Sequence, residues 1–334
     1  MKKLLAAIDR WQRRTPPAAV AWATVRKFGE DSANLQVVSL GWYGFTAIFP
    51  TLLVVVTIFG FIGAGSLGSS LLSTLHQFPV IGQDFNPEGA SKLHGSTVGL
   101  IVGLLGLIYG AQGVTNTAQG AMASFWDIPK TEQTGFLPRI GRSWLALILI
   151  GLTFVINAVA SAFATGAGRS IGISILVIAG MIVLNVISYL AVFRTLTAKQ
   201  IATRPLAPGA VAAGVAFTLL ITVGTGLLTH QLKNTSATYG AFGSVIGLVT
   251  FLLLLAKLSM YSAELNAVLA NHLYPRALPT TELTDADRRV MAREAGEQQE
   301  RPEENIGVEF EEEAHAGEAG EGSRKGSKEV RGRA

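Results

Sequence analysis

Polar side chains that recur at helical spacing inside apolar sequence are the first candidates for chemistry. Tyr109, Gln112, Asn116 and Gln119 follow at intervals of three, four and three, which puts them on one helical face. Amides in apolar surroundings are costly unless they meet partners or water. The stripe is therefore either the polar lining of a cavity or a set of interhelical hydrogen bonds, with Asn157 and Asn185 as candidate partners. A second face holds Lys257, Tyr261 and Glu264, spaced four and three. Seven helical residues separate the two charges by about 10 Å, too far for a direct pair. Lys257 is expected to snorkel toward headgroups, and Glu264 to face protein. If both faces border one cleft, Glu264 is the proton-sensitive group in it.

Other chemistries find little support. The chain has no cysteine, so it offers no disulfide and no thiolate metal site. Its five histidines (His76, His94, His230, His272 and His315) show no ligand spacing. No catalytic residue, metal or cofactor is assigned, and the chain is not expected to be an enzyme.

The elements that must carry these residues are six long apolar stretches: Val37–Ile62, Thr97–Met122, Trp144–Thr165, Ile171–Phe193, Ala207–Thr229 and Ala241–Met260. Each is about 20 residues or more, enough for a helix to cross a hydrocarbon core of ~30 Å. They are continuously apolar rather than alternating, which excludes a membrane β-barrel. The expected fold is all-α and polytopic, with six transmembrane helices and both termini in the cytoplasm. Orientation follows from charge. Seven cations precede the first stretch, three lie between the second and third, and three between the fourth and fifth. The alternate connections hold one each, a bias of thirteen to three.

Three parts are expected. Residues 1–34 form a basic arm in which Leu4, Ile8 and Trp11 share a helical face among cations. The arm either lies on an anionic leaflet or merely fixes topology. Residues 35–275 are the six-helix domain. It includes an outside amphipathic segment at 66–79, where Leu67, Leu71, Leu72, Leu75 and Phe78 recur at helical spacing. Residues 276–334 are rich in Glu, Gly, Arg and Ser and are expected to be a disordered charged tail. The short links near Gly166–Ser170 and His230–Thr238 make hairpins of spans three and four, and five and six.

Two further features concern packing. Gly99, Gly103, Gly106, Gly110 and Gly113 form a glycine stripe on the second span, suited to close approach of a neighbouring backbone. Pro50 removes one helical hydrogen bond from the first span and is expected to kink it, for packing or as a hinge.

Two motifs carry a family resemblance. The segment Ser39–Gly63, SLGWYGFTAIFPTLLVVVTIFGFIG, resembles the opening motif of the YihY/BrkB family. Tyr239–Val268, ending in AELNAV, resembles its closing motif, and Tyr189–Phe193 with Pro205–Gly214 its fourth-to-fifth junction. The resemblance covers roughly Leu35–Asn271. The chain departs from the family pattern in reading FLLLLAK where a tryptophan is usual, and in having Ser262 where a glycine is usual. Ala111–Pro129 looks more like a YhjD-type subgroup.

The resemblance implies an integral inner-membrane protein. Family members carry labels as virulence-associated factors, transporters or exporters, and a ribonuclease. The residues oppose the last, because ligand clusters are missing and the basic loops lack interleaved stacking aromatics. Two readings stay open: a transporter or lipid-handling protein of the cell envelope, and a non-transporting scaffold or partner-binding protein. The expected partners are the lipid bilayer, with anionic lipids at the N-terminal arm, and optionally a second copy in a homo-oligomer, but no nucleic acid.

Overall fold

The computed structural model describes residues 2–62, 97–133, 135–164, 171–197, 201–278, 283–301, 303–304 and 306–310. Their regular structure is helical. Two short helices, α1 (Lys2–Arg14) and α2 (Pro16–Glu30), precede four long ones: α3 (Ala33–Ile62), α4 (Thr97–Phe125), α5 (Phe136–Ala164) and α6 (Ile171–Leu196). Helical backbone then runs over Thr203–Ala270 and contains two apolar spans, α7 (Thr203–Thr222) and α8 (Val245–Ala270). Helix α9 (Asp285–Glu297) follows.

Among the described residues five helices are long and apolar enough to cross a membrane, namely α4, the Phe136–Asn157 part of α5, the Ile175–Leu196 part of α6, α7 and α8. The first predicted stretch lies on α3. A straight helix of 68 residues would extend about 100 Å. Instead, the Gly209 N–H donates to Asn266 Oδ1 at 2.6 Å, so α7 and α8 lie side by side and run antiparallel. The outside segment 66–79 and the link Gly166–Ser170 lie outside the described residues, and the side chains of His230–Thr238 do as well.

The bundle packs on small residues. Side chains added at three α4 glycines would collide with α3: at Gly103 with Val54, at Gly106 with the Pro50 ring, and at Gly110 with Ala47, at 3.0, 2.7 and 2.7 Å. Gly113 abuts the Tyr43 ring. The stripe therefore seats α3 directly against α4, while Gly99 sits in the first turn of α4. Pro50 lies within continuous helix and fills the space that Gly106 leaves. Large apolar side chains such as Leu105, Ile148 and Leu176 point outward, as lipid-facing residues should.

The core lies at one end of the bundle. Phe28, Val37, Met122, Phe125, Phe193, Leu206 and Met260 bury there with many alanines. At this end α4, α6 and α8 finish while α3, α5 and α7 begin. Both chain arms cover it. Phe28 of α2 stacks on Tyr261 of α8, with ring centroids 3.8 Å apart.

The described part of the tail, through helix α9, departs from the expected disorder. Arg276 is buried, and α9 starts with a capping box in which Thr284 and Asp287 exchange hydrogen bonds. Val290 packs with Ala23, Val268 and Leu273 in a small second core. The segment has few apolar residues, as its composition shows. It orders because its charges are matched: Asp287 accepts from Arg276, Arg26, the Ala277 N–H and Thr284. Residues 311–334 lie outside the described residues.

Candidate functional site

Two features of the bundle stand out: a cavity and a buried charge cluster. The cavity encloses about 310 Å³ and touches all six long helical segments. Leu40 and Gly44 come from α3, Val114, Ala118 and Met122 from α4, Ile150, Thr153 and Phe154 from α5, and Phe217 from α7. Helix α6 contributes Asn185, Ser188, Tyr189, Val192, Phe193 and Leu196, and α8 contributes Leu252, Leu255, Ala256, Ser259 and Met260. The wall is mostly hydrocarbon. The Tyr189 and Ser259 hydroxyls in it lie 3.0 Å apart, and the Thr153 hydroxyl bonds back to the Leu149 carbonyl. Phe217 closes one side, edge-on to both Phe154 and Tyr189.

The polar stripe of α4 does not share this cavity. Gln112 Nε2 donates to Asn116 and to Ser143 Oγ of α5, both at 3.3 Å. Gln119 Nε2 donates to Ser143 Oγ at 2.8 Å and to the Arg139 carbonyl at 3.2 Å. Arg139 in turn donates to the Asn116 carbonyl. These bonds join α4 to α5. Tyr109 is largely exposed and meets Tyr43 edge-on. Asn157 and Asn185 pair with each other at 2.9 and 3.2 Å, and Asn185 also donates to Thr218 at 3.0 Å. They link α5, α6 and α7 rather than serving the stripe. Of the residues expected to form one polar lining, Asn185 is the one that borders this cavity. Interhelical bonding takes up Gln112, Gln119 and Asn157 because, in an apolar medium, the nearest hydroxyl, amide or carbonyl is the cheapest partner.

The face on α8 also divides. Lys257 is exposed, and Tyr261 lies under Phe28. Glu264 is fully buried and turned toward the arm-bearing end. Its neighbour there is Lys27 of α2, whose ammonium is likewise fully buried. Lys27 Nζ lies 2.8 Å from Asp31, 3.1 Å from Asp127 and 3.8 Å from Glu264. Burial works against its charge. The carboxyls of Glu264, Asp31 and Asp127 outweigh that penalty and hold the ammonium above the ordinary lysine range.

Asp127 reaches the cluster through the way α4 ends. Its backbone is left-handed, with φ 48°, a conformation that aspartate tolerates. The N–H of Ile128 bonds to the Ala123 carbonyl and that of Asp127 to the Ser124 carbonyl, closing a Schellman motif. An acidic residue at a helix C-terminus opposes the helix dipole. Lys27 and Arg293 offset it, the latter at 2.7 Å from α9.

Sequence reasoning identified Glu264 but missed Lys27, Asp31, Asp127 and Arg293. Lys27 and Asp31 are one helical turn apart, and the acid in WDIP directly follows an apolar span. Both signals were present. Neither shows that four separate segments meet at one point.

These features define a multi-pass α-helical membrane protein whose long helices line an apolar cavity, with the chain's own arms packed at one end of the bundle. The chain belongs to the family described as virulence factor BrkB, which matches residues 24–285. That span contains Lys27, Asp31, Asp127, Glu264 and the whole cavity. Comparison with curated proteins and with solved structures gave no match.

Proposed function

We propose that the protein is a six-span cytoplasmic-membrane protein that handles a lipid or another amphiphile of the cell envelope. Helix α3 supplies the sixth crossing, and the end that bears both arms faces the cytoplasm, as the cation bias favours. The cavity carries this reading. It is mostly apolar, is bounded by every long helical segment, and falls in the lower range of small-molecule sites. Such a wall suits an acyl or isoprenoid chain and offers little to a hydrated ion.

The N-terminal helix supports the same setting. Its buried face holds Asp9 and Gln12, which bond to the Leu278 N–H and the Arg276 carbonyl. Its outer face presents Ile8 and Trp11, with Arg10 and Arg14 exposed beside them. An apolar stripe with flanking cations and its one acid turned inward is suited to anionic headgroups.

Reconstitution in liposomes with labelled lipids tests the proposal. Ala118→Leu and Ala256→Leu extend side chains into the cavity and should lower lipid movement several-fold without preventing folding. If folded variants match wild type, the cavity is not the path. If wild type moves no lipid or amphiphile, the scaffold reading replaces this one.

A further inference from the structure

The charge cluster beneath the cavity contains a carboxyl group with no donor. Glu264 is fully buried, and neither of its oxygens accepts a hydrogen bond from any described group. Lys27 Nζ, at 3.8 Å, spends its closer contacts on Asp31 and Asp127. The carboxyls of Asp31 and Glu264 meet at the same ammonium, 2.8 and 3.8 Å from Lys27 Nζ. Two carboxylates cannot bond to each other, whereas a carboxylic acid and a carboxylate can, through one shared proton.

The charge count favours that proton. Lys27 and Asp31 of α2 and Asp127 after α4 face Glu264, while Arg293 of α9 bonds to Asp127 and Glu294 and Glu297 of α9 lie near Asp31 and Asp127. At the centre one buried ammonium, Lys27, meets the three carboxyls of Asp31, Asp127 and Glu264, and Arg293 adds a second cation at Asp127. An uncompensated buried carboxylate is expensive, and taking up a proton removes the charge. We propose that Glu264 and Asp31 form a buried proton-binding site, one proton shared between their carboxyls, which fastens α2 over the end of the cavity. Burial pushes the Asp31 carboxyl up from its ordinary range, against the pull of Lys27.

The site has a structural consequence. Met122 and Met260 line the cavity, and Asp127 and Glu264 follow them by about one turn on the same two segments. The cluster therefore sits at the cavity's arm-bearing end. With the proton bound, α2 is held by Phe28 on Tyr261 and by the Lys27 contacts. When the proton leaves to water, one more negative charge stands among the carboxyls and α2 loosens. The arm is thus a proton-responsive clamp on this end of the bundle, whatever the cavity carries.

Infrared spectroscopy of the full chain in nanodiscs tests the site through the carbonyl stretch of a protonated carboxylic acid. Wild type should show the band at neutral pH and lose it on alkaline titration. Glu264→Gln should abolish it in a Glu297→Gln background, where the raised Glu297 carboxyl no longer contributes. If that variant does not fold, Asp31→Asn should shift the band, because the acid's partner changes. No band at neutral pH, or an unchanged band in a folded variant, overturns the site.

Hydrogen exchange of residues 24–31 tests the clamp. Protection should fall in wild type over the pH range in which the band disappears, and should stay constant in Glu264→Gln. Constant protection in wild type overturns the clamp. Ala118→Leu should leave the infrared band intact, which separates this result from any failure of the lipid-handling reading.

Discussion

Asp287 shows how a single side chain holds a segment of low apolar content. Burial alone would raise its pKa. Hydrogen bonds from the Thr284 side chain and N–H, from Arg276 and from the Ala277 N–H reverse that and hold it at about 2. A depressed carboxylate contributes stability above its unfolded value of 3.8, and that contribution is lost as pH falls toward 2. Asp287→Ala removes one of the two carboxylates that pair with buried Arg276 and leaves Glu30 as the other, so the cost should fall below the roughly 3–5 kcal/mol of a buried charge left with no partner. Hydrogen exchange should show α9 and residues 276–278 deprotected in the variant while α4 and α5 are unchanged. Glu297 behaves in the opposite sense. Burial and the nearby Asp31 and Asp127 raise it from 4.5 to about 7. Its contribution is complete below pH 4.5 and is lost as pH rises through 7. Protection of α9 should therefore weaken over that window in wild type, and Glu297→Gln should flatten the profile.

At the scale of elements, the α3–α4 pair rests on backbone approach rather than on large side chains. A Cβ at Gly110 would lie 2.9 Å from the Ala47 Cα, so neither helix can yield by a rotamer change alone. Overpacking of this kind costs roughly 1–3 kcal/mol. Gly110→Leu should lower thermal stability and yield in detergent. Gly120→Leu should not, since a Cβ there meets nothing within 4 Å. Equal melting of both variants and wild type would show that the helices separate freely. The α4–α5 contact depends instead on Ser143, which receives both Gln112 and Gln119. Bonds of this type in membrane bundles are worth about 1 kcal/mol.

For the whole molecule, the two arms meet at one end of the bundle, which ties orientation to packing. Arg26 and Glu30 of α2 bond to Asp287 and Arg276 beyond the last span. The two arms therefore share one end of the bundle, and the orientation proposed from thirteen cations against three puts that end in the cytoplasm. Reporter fusions after Ala334 should read as cytoplasmic and fusions at Asn86 as exported. The opposite pattern would reverse the proposed orientation.

The apolar stretches, the family resemblance and the glycine stripe were legible in the chain because each depends on local order. Twenty consecutive apolar residues need a bilayer whatever surrounds them, and glycines at intervals of three and four share a face on any helix. Spacing alone did not reveal which groups would meet. Gln112 and Glu264 looked like walls of one cleft, yet helix rotation gave the first to Ser143 and the second to Lys27 and Asp31. The tail read as disordered because its composition has almost no hydrocarbon to bury. Its described part through Glu297 is held by Asp287, whose donors come from α2, from Arg276 and Ala277, and from Thr284. Burial of a charge depends on partners distant in sequence, and only the tertiary structure brings residues 27, 31, 127 and 264 within reach of one another.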